Sequence, residues 1–208
     1  IRDRPKGAAQ RLETSMLKRV FFSFHYHDVA DFRANVVRNH WRMKPDRDSA
    51  GYFDASVWEM AKKEGPLAIK RLINGALQNT SNTCVLIGSE TFARPWVRYE
   101  IFKSLVRGNH IFGVHINGIP DKYRQTRRNG PNPFEYLGIT ISDDGSKATL
   151  WHRYDKEWIY FDLIDGSAQV PIGWGRQFGG KAYMLSQIFP THDWVRDNGF
   201  DNLPGWVK

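Results

Sequence analysis

The chain reads as an α/β protein: a parallel, doubly wound sheet with helices on both faces, followed by an antiparallel β-meander and a closing helix. Three observations predict this. Short, dense apolar runs alternate with segments of helical periodicity through the first half. Gly65-Pro66, Pro95 and Gly108 stand where helices should start or stop. Beyond about residue 131, strand-like runs follow one another with only "DDG" and "DKE" between them.

The elements follow in order. "RVFFSF" (19–24) is aromatic and β-branched, as for a strand buried on both faces. After "HYHD", Val29, Phe32, Val36, Val37 and Trp41 have the spacing of an amphipathic helix. Asp28 is its expected N-cap, with Asp31 in the first turn. "GYFDASVW" (51–58) is a shorter strand candidate. Gly65-Pro66 then opens a helix with apolar Ile69, Leu72, Ile73, Ala76 and Leu77. "TCVLIGS" (83–89) is the clearest buried strand, and Pro95 and Gly108 bracket the helix after it. "HIFGVHIN" (110–117) makes a fourth strand. "YLGITIS", "KATLWHRY" and "EWIYFDLI" form the meander, and "KAYMLSQIF" the closing helix before a tail with Trp194 and Trp206. Ligands of such parallel sheets bind beyond the carboxyl ends of the strands.

A chain of 208 residues, 41% hydrophobic, can bury one substantial core. A single domain is expected over 16–208, with a core of about 17–118 and a C-terminal elaboration of about 131–208. Residues 1–15, "IRDRPKGAAQRLETS", read as a leader or tag outside the fold. No apolar run approaches membrane-spanning length, and no secretory signal is apparent. A single cysteine, Cys84, excludes an intramolecular disulfide. A cytoplasmic location is therefore expected. The net charge of +8 is concentrated: residues 1–19 carry +4 and residues 121–130 carry +3. The remainder is nearly neutral, which argues against a broad nucleic-acid-binding face.

Several motifs carry no chemistry when weighed against their context. "GRQFGGKA" (175–182) has phosphate-loop spacing but ends in Ala182 where a magnesium-holding hydroxyl is needed, so it reads as a Gly-rich turn. His25 and His27 lack further ligands at metal-binding spacing, and no metal site is predicted. They suit the polar lining of a pocket at the mouth of the first strand. Cys84 lies within a buried strand and should be inert. Glu100 differs. On the helix after "TCVLIGS" it projects about 40° from Trp96, beside the arc of Val97, Ile101, Ser104 and Leu105 rather than opposite it. That places a carboxylate at the boundary between core and solvent, which fits either a boundary glutamate or a catalytic one.

Two blocks resemble TIR domains. "RVFFSFHYHD" is similar to their first box, and "CVLIGSETFARPWVRYE" to their second, in which a strand and turn lead to a Trp-x-x-x-Glu helix. With "FDAS.W", "GPNPF.YLG" and the aromatic C-terminus, the match resembles the TIR-like branch of the Thoeris anti-phage system over about residues 17–208. The resemblance implies a flavodoxin-like TIR fold and a cytoplasmic enzyme that cleaves NAD. It implies formation of a cyclic ADP-ribose signal that diffuses to a separate effector protein, after a phage-derived trigger. It also implies possible homo-oligomers, with no membrane partner, NAD as substrate and no resident cofactor. The alternative within the resemblance is a sensing or interaction module without significant turnover.

Carried over to these positions, the TIR catalytic glutamate matches Glu100. Substrate-binding positions match Ser23, Phe24, His25 and Trp96, with Asp54 and Ser89 at the ends of strands two and three. A fixed carboxylate stabilises an oxocarbenium-like ribose, and aromatics exclude water. The basic loop and the meander are expected to serve partner or trigger contact.

Overall fold

A computed structural model of the chain describes residues 18–26, 28, 31–51, 53, 55–164, 168–170 and 177–208. Strands β1 (Lys18–Ser23), β2 (Arg47–Ala50), β3 (Asn82–Ile87), β4 (His110–His115) and β10 (Thr191–Asp193) form a parallel sheet in the order β10-β4-β3-β1-β2. This is the flavodoxin-like order, with the last position filled from near the C-terminus. Alternation along the strands feeds two cores. Val20, Phe22, Cys84, Leu86, Phe112 and Val114 face helices α1 (Arg33–Arg42) and α5 (Gly199–Trp206). Phe21, Val85, Ile87 and Ile111 face α3 (Pro66–Leu77) and α4 (Pro95–Arg107). Helices thus cover both faces.

Four local expectations are corrected. The second strand precedes "GYFDASVW" instead of lying in it: β2 ends at Ala50, and α2 (Ala55–Glu64) occupies the second half of that segment. Gly51, at φ 84°, turns the chain away, and a Cβ there would lie 2.3 Å from the Phe22 carbonyl oxygen. Asp28 does not cap α1, whose N-cap is Phe32 in the left-handed region without a side-chain cap. The buried face of that helix is Ala34, Val37 and Trp41, leaving Phe32 and Val36 exposed. Finally, "KAYMLSQIF" forms strand β9 (Ala182–Met184) and a 3-10 turn (Leu185–Gln187), and the closing helix is α5. The phosphate-loop-like segment is described only from Gln177 onward, with Gly179-Gly180 in a turn.

Strands β5 (Leu137–Ile141), β6 (Lys147–Tyr154), β7 (Glu157–Tyr160) and β9 form an antiparallel sheet in the order β7-β6-β5-β9, and β8 (Ala168–Gln169) pairs with β6. One face of this sheet covers the outer side of α4: Ile139, Leu150 and Phe161 share a cluster with Ile101 and Phe102, and the Phe102 and Phe161 rings lie 4.9 Å apart. Helix α4 is therefore buried almost all round, Arg98 and Tyr99 included. The basic loop is partly structural. Asp121 accepts from the backbone of Tyr123 and Gln125, while Arg33 reaches Asp121 and the Gln125 carbonyl.

Candidate active site

Helix α4 is fixed at both ends. Pro95 at its first position supplies a pre-set φ. At the other end Gly108 has φ 78°, with its N–H donating to Leu105 and the Asn109 N–H to Ser104, a Schellman closure. Deep in the core, the Thr83 hydroxyl on β3 donates to Ser104 at 2.8 Å. These contacts set the rotation and height of the helix. Glu100, one turn before Ser104, then points at the end of β1.

There the Ser23 hydroxyl donates to Glu100 Oε2 at 2.5 Å. Glu100 is only 6% exposed. Burial pushes its carboxyl up to about 8, while the Ser23 hydrogen bond pulls it back toward the ionised form. A cavity of about 260 Å³ opens beside this pair, beyond the carboxyl ends of β1 and β2. Phe24, His25 and Tyr26 line it from the segment after β1, and Gly51 and Phe53 from that after β2. Trp58 and Lys62 of α2 and Arg94, Pro95, Trp96 and Val97 complete the wall. The Phe53 and Trp58 rings stack at 5.7 Å, and Trp96 packs edge-on against Tyr99.

The structure brings Phe24, His25, Trp96 and Glu100 together in the lining of this cavity, while Ser23 is fully buried outside the lining and joins the site through its hydrogen bond to Glu100. Ser89 is not in its lining: its hydroxyl accepts from Asn117 Nδ2 at 3.1 Å, on the side toward the basic loop. Asp54 and His27 lie outside the described residues. Asp28 works in the β3–α4 turn, where its carboxylate lies against Gly88 and accepts from Thr91, whose hydroxyl takes the Gly88 N–H.

Two comparisons bear on this arrangement. The family model described as Thoeris protein ThsB, TIR-like domain, matches residues 21–121. A Bacillus cereus (strain MSX-D12) protein named "Putative cyclic ADP-D-ribose synthase ThsB1" is 53% identical over 194 residues, 93% of this chain and 100% of that protein. The chain belongs to the Thoeris ThsB TIR-like family. The span matched to the ThsB family holds the Ser23–Glu100 pair and every residue lining the cavity. The antiparallel sheet lies beyond that span and within the C-terminal part of this ThsB-family chain. Among the described residues, no helix is long and apolar enough to cross a membrane.

Sequence reasoning missed Phe53, Trp58, Lys62 and Arg94 as lining. Two of them stood in "FDAS.W", but reading that segment as a strand hid the turn at Gly51 that carries Phe53 to the cavity and the helix that presents Trp58. Arg94 pairs with Glu90, and Lys62 with Glu59 at 2.7 Å. Both cations thus reach the cavity wall already paired with a carboxylate.

Proposed function

We propose that the Glu100 cavity binds NAD, breaks its nicotinamide N-glycosidic bond and releases a cyclic ADP-ribose product. The observation that carries this reading is a buried carboxylate, held by the Ser23 hydroxyl at 2.5 Å, at the edge of an aromatic-walled cavity. The synthase name of the Bacillus cereus relative supports the cyclic product.

The chemistry follows from the burial of Glu100. At pH 7 its carboxyl is mostly neutral, with its ionisation centred at about 8. The positively charged nicotinamide ring favours the ionised form when it enters, because an opposite charge within a few ångström lowers a carboxyl pKa. The carboxylate then stabilises positive charge developing on the ribose C1′ as the C1′–N bond lengthens. The bonding electron pair leaves with nicotinamide, which becomes neutral. A nucleophile within the same molecule bonds to C1′; if it is a hydroxyl, it releases one proton, and Glu100 is the base placed to take it. Trp96, Phe53 and Trp58 exclude water, which favours ring closure over hydrolysis. In this reading a phage-derived trigger starts turnover, and the product diffuses to a separate effector protein.

Glu100→Gln keeps shape and the Ser23 contact but abolishes the charge. Mass spectrometry of nucleotides from infected cells carrying wild type or this variant tests the reading. A cyclic ADP-ribose product is expected with wild type alone, and its persistence in the variant, or absence from both, overturns the proposal.

A further inference from the structure

A second cavity lies on the other side of α4. Arg98, two residues before Glu100 and so about 200° around the helix axis, points away from the Ser23–Glu100 pair. It is only 7% exposed, yet no described carboxylate lies within ion-pair distance of it. Its Nε donates to the Phe92 carbonyl at 3.0 Å, and its Nη1 to His152 Nδ1 at 2.7 Å and to the Arg153 carbonyl at 3.4 Å. Nη2 has no protein hydrogen bond among the described residues and is not sealed from solvent. Desolvation lowers the pKa of this guanidinium, as expected for a cation buried without a counter-charge.

The cavity beside it holds about 540 Å³, ample for a nucleoside phosphate. Its lining suits the three parts of such a molecule. Arg98 and Arg153 supply cations for phosphate oxygens. Phe92 and Tyr136, with rings 4.8 Å apart, offer an aromatic wall for a flat base. Asp155, at the β6–β7 turn, supplies a carboxylate that can accept from ribose hydroxyls. A bare inorganic anion would use only the first of these and leave most of the volume empty.

We propose that this cavity, built where the antiparallel sheet closes over α4, is a nucleotide-binding site anchored by Arg98 and separate from the Glu100 cavity. The site joins two parts of the chain, since Phe92 and Arg98 come from the parallel α/β half and His152, Arg153 and Asp155 from the antiparallel sheet. It does not depend on the chemistry assigned to Glu100.

The test uses the full chain and ADP as probe, with adenosine and inorganic phosphate as controls, read by isothermal titration calorimetry. ADP should bind wild type at least tenfold more tightly than either control. Arg98→Gln should weaken ADP at least tenfold, and Arg153→Gln, on an exposed position of β6, at least threefold, so the site stays testable if the first variant folds poorly. Met43→Ala, at an exposed position in the lining of neither cavity, should bind ADP as wild type does. Equal ADP affinity in wild type, Arg98→Gln and Arg153→Gln overturns the proposal. Loss of ADP binding in Trp96→Ala with retention in Arg98→Gln also overturns it, by assigning ADP to the Glu100 cavity.

Discussion

Burial of Glu100 makes a prediction about stability that needs neither trigger nor substrate. In the unfolded chain its carboxyl ionises near 4.5, and in the folded protein at about 8. Between those values the folded state holds a proton that the unfolded state has lost, so stability falls as pH rises. Neutral Glu100 costs nothing extra below pH 4.5, and the penalty is complete once pH passes the folded value. At about 1.4 kcal/mol per pH step, the penalty at pH 7 is on the order of 3 kcal/mol. Glu100→Gln carries no ionisable group there and escapes it, while any misfit of the amide is a constant offset. The stability gap between variant and wild type should therefore widen in the variant's favour from pH 5 to pH 8. For a chain of this length, roughly 3 kcal/mol corresponds to about 6–12 °C in Tm. Urea midpoints or calorimetric Tm values at pH 5, 6, 7 and 8 measure it. A gap that stays constant across this range refutes the claim that Glu100 is held neutral by burial.

Three further predictions concern the site and its surroundings. Ser23→Ala removes the donor to Glu100 Oε2, a hydrogen bond to a charged group worth about 1.5–3 kcal/mol, so NAD turnover at pH 7 should fall roughly tenfold to a hundredfold and the rising limb of the pH–rate profile should move to higher pH. Trp96→Ala opens the cavity wall and should raise the KM for NAD about three- to tenfold, from ~0.5–1.5 kcal/mol of lost aromatic contact, with a smaller effect on kcat; a KM unchanged from wild type would remove Trp96 from the substrate's surroundings. Reversing Arg127 and Arg128 to Glu breaks only an exposed ion pair, Arg127 to Asp31 at 3.3 Å, worth under about 1 kcal/mol, so Tm should hardly move while phage protection drops; intact protection would exclude the basic loop from trigger contact.

How far the sequence could be read depended on whether each residue's role was local. Pro95, Gly108 and the apolar run at 83–87 act through backbone geometry and two-sided burial, and the helix and strand they imply are present. Segment 51–58 misled because its aromatics suit a strand equally well, and the deciding feature was Gly51, whose positive φ answers a contact with Phe22 that is distant in sequence. The closing helix was misplaced for a related reason. "KAYMLSQIF" has helical apolar spacing, but β5 offers an unpaired edge that takes Ala182–Met184 as a strand, and pairing outweighs local preference. The fifth parallel strand was missed altogether, because three residues, Thr191–Asp193, are too short to show a pattern and are recruited by β4.

Glu100 and Arg98 show the same limit inside a single helix. A helical wheel assigns them to opposite edges of the apolar arc, Glu100 about 40° before it and Arg98 about 20° past it. That assignment assumes that α4 has one covered face, and the antiparallel sheet supplies a second. With both faces covered, the wheel position no longer separates core from solvent. What separates the two charges is the partner each finds: Ser23 for the carboxylate, and for the guanidinium only carbonyls and a neutral-accepting imidazole. The meander is therefore more than an appendage to the sheet that carries Glu100. It turns the far side of the same helix into a second buried charged environment, and it does so with strands that begin at Leu137, 30 positions after Arg107 ends α4 (137 − 107), where no local pattern in "ARPWVRYEIFKS" could announce it.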